Sequence, residues 1–562
     1  MAEDIVGDHL ERVRTAVLTR DTAASIAGWI TRNTTYAGQP YSYHDHEFQE
    51  RIMSDISRDV VVIKCSQVGM SEVGSRMSLA LVNVLRPYTV AYTLPTAKFA
   101  GTFAKTRIDP VIAGSKVMKA NIHTTNDNNE VKQFGDSFLY LRGAASANAP
   151  ISIPVDHLVH DEVDFSDQEV LGQYQSRLTH SKWRRSTKIS TPTLPMFGIH
   201  RAYQETRRHV NLCKCNHCNH WFQPDYYDHV RIPGFTGDLA TINKTMLRKL
   251  KFQDAQLHCP SCGLVPSLQV KHREWVCENP DENYIGAGYQ ITPFDAPNII
   301  QIAYLIEAST KYDRIQDFVN FNLGLAAEDK EATLGKEDFE NVFGQFEKPL
   351  NTVNVMGVDV GNTYHFVISA VDGAGEMAVI HREKVPMGKA RQRYMELKKE
   401  FRVVCTVIDS TPHSETVMAL QAVDVNLYAS VYMKSKSVTT HGVVERDAEW
   451  EEGKDFIRQV NVNRSKALDA YMEFIREHHM IVREQTDEDR EEFIAHHMSM
   501  KRVKVYDNES GEMLFSWQKT DGIDHFHHAS LYCWIASKIR GVGKSLIQLP
   551  LFSMYSFKNK TV

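Results

Sequence analysis

The alternation of apolar and polar positions along the chain changes character several times, and each change predicts an element. Val60–Ile63 is a run of four β-branched residues, as a strand covered on both faces requires. The loop KCSQVG, Lys64 to Gly69, follows it, and from Ser71 onward Val73, Met77 and Leu81 recur on one helical face. PVDHLVHDE, Pro154 to Glu162, is a short, mostly apolar stretch ending in adjacent acids and predicts a second strand. Its two histidines, His157 and His160, suggest a place near a sheet edge. KISTPT, Lys188 to Thr193, reads as a further strand ending in small hydroxyl residues.

From about Asn351 the pattern differs. VNVMGVDVGNTYHFVISAV is apolar on both sides of a Gly-Asn turn and predicts a β-hairpin with Asp359 mid-strand. VVCTVIDS is another apolar strand, ending at Asp409, and DGIDHFHHASLYCWIA is a long apolar helix with Asp524 near its start. The expected class is α/β in both halves. Composition adds limits: 562 residues, 42% hydrophobic and 24% charged, exceed one core and imply two or three domains. No apolar run approaches the roughly 18 residues of a membrane span. Met1 to Ala23 is too charged for a secretory leader, so a cytoplasmic location is expected. A net charge of −6 argues against coating nucleic acid by bulk charge but permits a local basic channel.

The first loop almost spells the phosphate-binding pattern G-x-x-x-x-G-K-[ST]. Lys64 stands at the first glycine and Met70 at the lysine. A helix N-terminus after a strand offers unpaired N–H groups to phosphate. Lysine's flexible stem lets Lys64 curl back to supply the missing charge. Val68 and Gly69 keep the close backbone approach, and Ser71 keeps the hydroxyl that would hold Mg²⁺ beside ATP. Asp161 would hold the same ion and Glu162 would orient and deprotonate the attacking water. Thr191, in STPT, reads either as a sensor of the γ-phosphate or as part of a plain turn at Pro192.

CKCNHC and HCPSCG form two C-x-x-C knuckles. Cys215, Cys218, Cys259 and Cys262 make a four-thiolate set suited to structural Zn²⁺, with no open position for chemistry. Cys213 is an alternative to Cys215, and Cys277 reads as a bystander. In the last third, Asp359, Asp409 and Asp524 come from separated segments. Three such acids at one sheet suit a two-ion phosphodiesterase using Mg²⁺ or Mn²⁺. Asp521 is an alternative third ligand. His525, His527, His528 and Lys466 read as surface positions, with phosphate or metal-bound water as their other possible partners.

Together these features resemble the large terminase subunit of tailed bacteriophages, nearest to the lambda-like group. K-x-x-x-V-G-x-S at Lys64 to Ser71 is similar to that group's altered phosphate loop, and HDEVDFSDQ and STPT to its acidic and coupling motifs. YTLPTAKFAGTFAKTRIDPVI and SWQKTDGIDHFHHA resemble further segments, the second closing a ribonuclease-H-like nuclease domain. YHDHEFQERI resembles the adenine-contacting segment and implies Gln49 as base reader. Many members carry an arginine finger inside the loop where this chain has Gln67, which leaves Arg177 and Arg184 as candidates, in cis or from a neighbouring subunit.

The resemblance implies a P-loop ATPase with a zinc-ribbon-like insert followed by the nuclease. The expected division is an N-terminal segment 1–35, ATPase 36–210, insert 211–280, remaining ATPase region and linker 281–349, nuclease 350–540 and tail 541–562. It further implies a motor subunit in the host cytoplasm, assembled as a ring on the capsid portal. Its partners would be double-stranded DNA, a small terminase subunit docking at the N-terminal segment and the portal at the tail. The rivals are a repair-helicase-like ATPase-nuclease and an inactive component of the capsid vertex.

Overall fold

The computed structural model describes residues 26–539 except 56, 147, 152, 282, 285, 313, 328–333, 345–350, 433–442, 447–457, 484–485, 507–512 and 521. The fold divides into two compact units, Met1–Glu328 with Lys504–Leu514, and Asp329–Val503 with Phe515–Val562.

The first unit is built on a largely parallel sheet. Its central strands are β1 (Asp59–Lys64), β2 (Thr89–Leu94), β3 (Ser137–Gly143), β4 (His157–Asp161), β5 (Arg185–Ser190), β6 (Arg207–Lys214) and β7 (Ala287–Ile291). Across the sheet they run β6-β7-β1-β5-β4-β2-β3, all parallel neighbours. The β-branched run of β1 is needed because β1 is interior, with β7 on one side and β5 on the other. Helix α1 (Met70–Val84) packs Val73, Leu79 and Leu81 into the core of this unit.

β4 is not at an edge. It lies between β5 and β2 with every residue buried. Its histidines are tolerated there because hydroxyls on the flanking strands meet them: His157 Nε2 lies 2.8 Å from Thr187 Oγ1 and His160 Nδ1 2.7 Å from Thr93 Oγ1. Burial, the largest influence on both, holds His157 well below its ordinary value and His160 at about 3, so neither ring carries charge at neutral pH.

The second unit contains β8 (Val353–Asp359), β9 (Thr363–Val371), β10 (Met377–Pro386), β11 (Val403–Asp409) and β12 (Leu427–Tyr432) in the order β10-β9-β8-β11-β12. The first three form an antiparallel meander, and β8, β11 and β12 are mutually parallel. This is the ribonuclease-H-like order. Helix α2 (His525–Ile539) lies across β8. Gly357 permits that approach, since a Cβ there would collide with the helix backbone at Ala529 and Cys533. The predicted hairpin is β8 and β9, but Asp359 is the last residue of its strand rather than mid-strand.

Candidate functional site

The phosphate loop joins β1 to α1, with Gly69 at the helix N-cap in the left-handed region, φ 72°. Glycine is required there twice over, because a Cβ would also stand 2.7 Å from the Gln49 amide nitrogen. That amide donates to Val68 O at 2.9 Å, and Gln49 Oε1 accepts from Tyr41 OH at 2.8 Å, so Gln49 latches the loop from below. Met70 is 2% exposed and packs into the core, which removes it from phosphate chemistry. Gln67 is exposed at φ 66°.

Lys64, 6% exposed, points its Nζ to Glu162 Oε1 at 3.4 Å and to Thr191 Oγ1 at 3.3 Å. These partners follow the ends of β4 and β5, so three strands deliver their chemistry to one sheet end. Burial, the largest influence on Lys64, opposes its charge, yet Glu162 and Asp161 outweigh it and hold the lysine above its ordinary value. Asp161 is pushed up to about 6, by burial first and Glu162 second, with Lys64, Tyr92 and Ser71 pulling it back. Tyr92 OH donates to Asp161 Oδ2 at 2.6 Å. Ser71 lies near enough to hold the same carboxyl down, which brings together the two oxygen groups that could hold a hard cation. Glu162 adopts φ 57°, a conformation unusual outside glycine that turns its carboxylate toward the lysine.

Asp164 was missed in the sequence. It is fully buried, and its Oδ2 accepts from both Thr193 N and Thr193 Oγ1 at 2.7 Å, while Oδ1 accepts from Ile199 N at 2.6 Å. It therefore ties the turn carrying Glu162 to the STPT loop. Its signal in the sequence is the third acid of DEVD.

The arginines lie elsewhere. Arg184 immediately precedes β5 and Arg177 O accepts from Val155 N just before β4, so both sit where these strands begin, opposite the end that carries Lys64 and Glu162. Arg184 is tied to Ser181 O and Thr179 O at 3.0 Å each, and Arg177 folds onto Ser176. Neither supplies a finger to the loop of its own chain.

The cysteine segment continues the main sheet, since β6 pairs antiparallel with Arg273–Cys277 and with Trp221–Phe222. The two knuckles repeat one geometry. Cys215 N bonds His220 O and Cys259 N bonds Leu264 O, each at 2.9 Å, and Asn219 and Gly263 take φ 62° and 70° after their second cysteines. Cys215 Sγ lies 3.7 Å from Cys262 Sγ, and Cys218 Sγ 3.7 Å from Cys259 Sγ. A tetrahedron of sulfurs about 2.3 Å from a central zinc has edges of about 3.8 Å, so the donor set fits that ion. Cys213 instead points to Ser267 O at 3.6 Å and Cys277 stands outside the cluster, which leaves the alternative for Cys215 without support.

In the second unit Asp359 and Asp409 end neighbouring parallel strands, with Val358 opposite Ile408, so both acids emerge at the same sheet end. Asp409 is pushed up to about 6, by burial and then by Asp359. Asp524 lies just before α2 and meets His528 Nε2 and Lys519 Nζ at 3.4 Å each. Burial would raise it, but His528 and Lys519 hold it well below the usual carboxylate range. Asp521 lies outside the described residues. The three acids do not close to ligand spacing. Among the described residues the acidic cluster whose donor atoms all lie within 4.8 Å of one another is Asp359, His365 and His525. His527 and His528 are buried rather than on the surface, whereas Lys466 is exposed.

Residues 34–278 match the family described as phage terminase large subunit gpA, ATPase domain, a span that holds the phosphate loop, Asp161, Glu162, the STPT loop and all four clustered cysteines. No curated protein matches the chain. Among solved structures, the large terminase of HK97 bacteriophage is 11% identical over 91% of this chain and 99% of that one, at a TM-score of 0.46. A large terminase from a thermophilic bacteriophage is 11% identical over 86% and 94%, at 0.29. The large terminase nuclease of thermophilic phage G20c is 12% identical over 33% and 83%, at 0.23. No described helix is long and apolar enough to cross a membrane.

Proposed function

We propose that this chain, whose residues 34–278 match the ATPase domain of the phage terminase large-subunit gpA family, is a DNA-packaging motor subunit. It hydrolyses ATP to drive double-stranded DNA into a procapsid, and its second unit cuts concatemeric DNA. The observation that carries this reading is the convergence of Lys64, Asp161, Glu162 and Thr191 at one end of three adjacent parallel strands.

The residue roles follow from that convergence. Backbone N–H groups at the start of α1 and the Lys64 ammonium face the phosphates, with Gln49 near the base. Ser71 and Asp161 are the oxygen donors for Mg²⁺, which would neutralise phosphate charge when bound. Glu162 accepts the proton of the attacking water, and Asp164 fixes Thr193 so that Thr191 tracks the γ-phosphate. Because Arg177 and Arg184 lie at the far end of their own sheet, either could serve as a finger only when presented to a neighbouring subunit in a ring.

In the second unit Asp359 and Asp409, with Asp524 at the start of α2, are the carboxylates for Mg²⁺ or Mn²⁺, two ions that would flank the scissile phosphate. The four cysteines hold Zn²⁺ as a structural clamp on the edge of the ATPase sheet. We assign the ATPase to 36–210 with its remainder in 281–328, the insert to 211–280 and the nuclease to 350–540; the expected linker after Glu328 packs with the second unit, where Leu334, Phe339 and Val342 join its core. The N-terminal segment 1–35 would dock the small subunit and the tail 541–562 the portal. Residues 1–25 and the tail lie outside the described residues. The setting is the host cytoplasm.

DNA held mainly through its phosphates should be gripped less tightly as salt rises. The test is ATP turnover of the purified protein with and without duplex DNA. DNA-stimulated turnover that falls with salt supports the reading, and an absence of turnover overturns it.

A further inference from the structure

Asp359 and His365 are direct cross-strand partners in the β8–β9 hairpin, so their side chains leave the same face of the sheet. His525 opens α2 above them. Its ring stacks on that of His365 with centroids 4.6 Å apart, and its Nδ1 lies 2.7 Å from Asp359 Oδ2. One carboxylate and two imidazoles thus come from two strands and a helix, with their donor atoms within 4.8 Å of one another.

A second observation points to a ligand. His365 is 4% exposed, and its Nδ1 is buried with no hydrogen-bond partner among the described residues. The Thr363 backbone, two residues back, closes no hydrogen bond to that atom. Leaving a ring nitrogen unpaired costs free energy that coordination would recover. The neighbouring His496, whose ring lies 6.0 Å from that of His365, is different: its Nδ1 accepts from Phe526 N at 3.0 Å and is occupied.

We propose that Asp359, His365 and His525 form a divalent transition-metal site, and that its two imidazoles make the second unit select Mn²⁺ over Mg²⁺. Mg²⁺ keeps its waters and prefers all-oxygen sites, whereas imidazole suits the transition metals. Two histidines and one carboxylate occupy part of an octahedron and leave positions for water or a phosphate oxygen. The inference rests on the nuclease reading, because the site shares Asp359 with the acid pair.

The test uses the full-length protein in the absence of nucleotide, with Mn²⁺ as the probe. Binding is followed by loss of the free-ion paramagnetic resonance signal, with Mg²⁺ as competitor, and nitrogen ligation by ¹⁴N modulation of the electron spin echo. The wild type should show imidazole nitrogen coupling. His525→Gln and His365→Gln should each reduce that coupling and weaken Mn²⁺ binding by at least about tenfold, the lower end of what losing even an outer-shell partner costs. Binding of Mg²⁺ should change far less. His525 is part-exposed, so its variant provides the readout if His365→Gln does not fold.

Bound Mn²⁺ without nitrogen coupling, or wild-type affinity in both histidine variants while Asp359→Ala loses the ion, overturns the inference and leaves the nuclease reading standing. Unchanged Mn²⁺ binding and plasmid cutting in Asp359→Ala would overturn both.

Discussion

Lys64 Nζ lies 3.4 Å from Glu162 Oε1, so the lysine at the front of the phosphate loop and the acid at the end of β4 share one small space. Removing the cation leaves two adjacent carboxylates facing phosphate. Lys64→Ala should therefore reduce ATP turnover by about 10²-fold or more, the scale of losing one preorganised electrostatic group. Met70→Leu, a volume-conserving change at a residue 2% exposed, should leave turnover near normal and cost less than about 1.5 kcal/mol in stability. Steady-state hydrolysis and urea unfolding of the two variants check this.

Glu162→Gln keeps the shape of the side chain and removes the proton acceptor. Hydrolysis should fall by about 10²- to 10⁴-fold, the range for general-base catalysis. Nucleotide affinity should be kept, because Lys64 is released from its ion pair. Single-turnover hydrolysis beside equilibrium binding of a fluorescent nucleotide separates the two effects.

Asp164 predicts a pH effect. Burial, against the donors Thr193 and Ile199, pushes its carboxyl up to about 7, above the roughly 3.9 of an unfolded chain. Its stabilising contribution is therefore complete below about pH 4 and is lost as pH rises through about 7. Between these limits unfolding of the first unit should become easier with rising pH, by up to about 1.4 kcal/mol per pH unit. Asp164→Asn should remove that slope. Denaturant unfolding across this pH range, comparing wild type with the variant, measures it.

The four cysteines predict one zinc per chain by elemental analysis. Because β6 joins the knuckles to the main sheet, chelation should lower the melting temperature of the ATPase unit, and Cys218→Ser or Cys259→Ser should reduce soluble yield. An unchanged melting temperature after verified metal removal would show that the site is not structural.

What the sequence made legible is what is local. The loop from Lys64 to Ser71, the acids at 161 and 162 and the two knuckles each lie within a few residues, and the chemistry of each depends on that spacing. The position of β4 was not legible, because the hydroxyls that meet one nitrogen each of His157 and His160 come from Thr187 and Thr93, 30 and 67 residues away. The place of Arg177 and Arg184 was hidden for a related reason: their distance from Glu162 along the chain does not report that the chain crosses to the other end of the sheet before β5. His365 and His525 meet only because a hairpin and a helix 160 residues apart in number converge on Asp359, and no spacing rule reports that.

The central claim is that ATP is hydrolysed in the first unit and DNA cut in the second. The most direct test is a paired assay on single preparations of Asp359→Ala and Glu162→Ala, each scored for ATP turnover and for Mn²⁺-dependent plasmid cleavage. Asp359→Ala should lose cleavage by orders of magnitude, since metal clamping supplies most of the stabilisation of developing charge, and should keep its ATP turnover. Glu162→Ala should do the reverse. Loss of ATP turnover with retained cleavage in Asp359→Ala would contradict the division of labour.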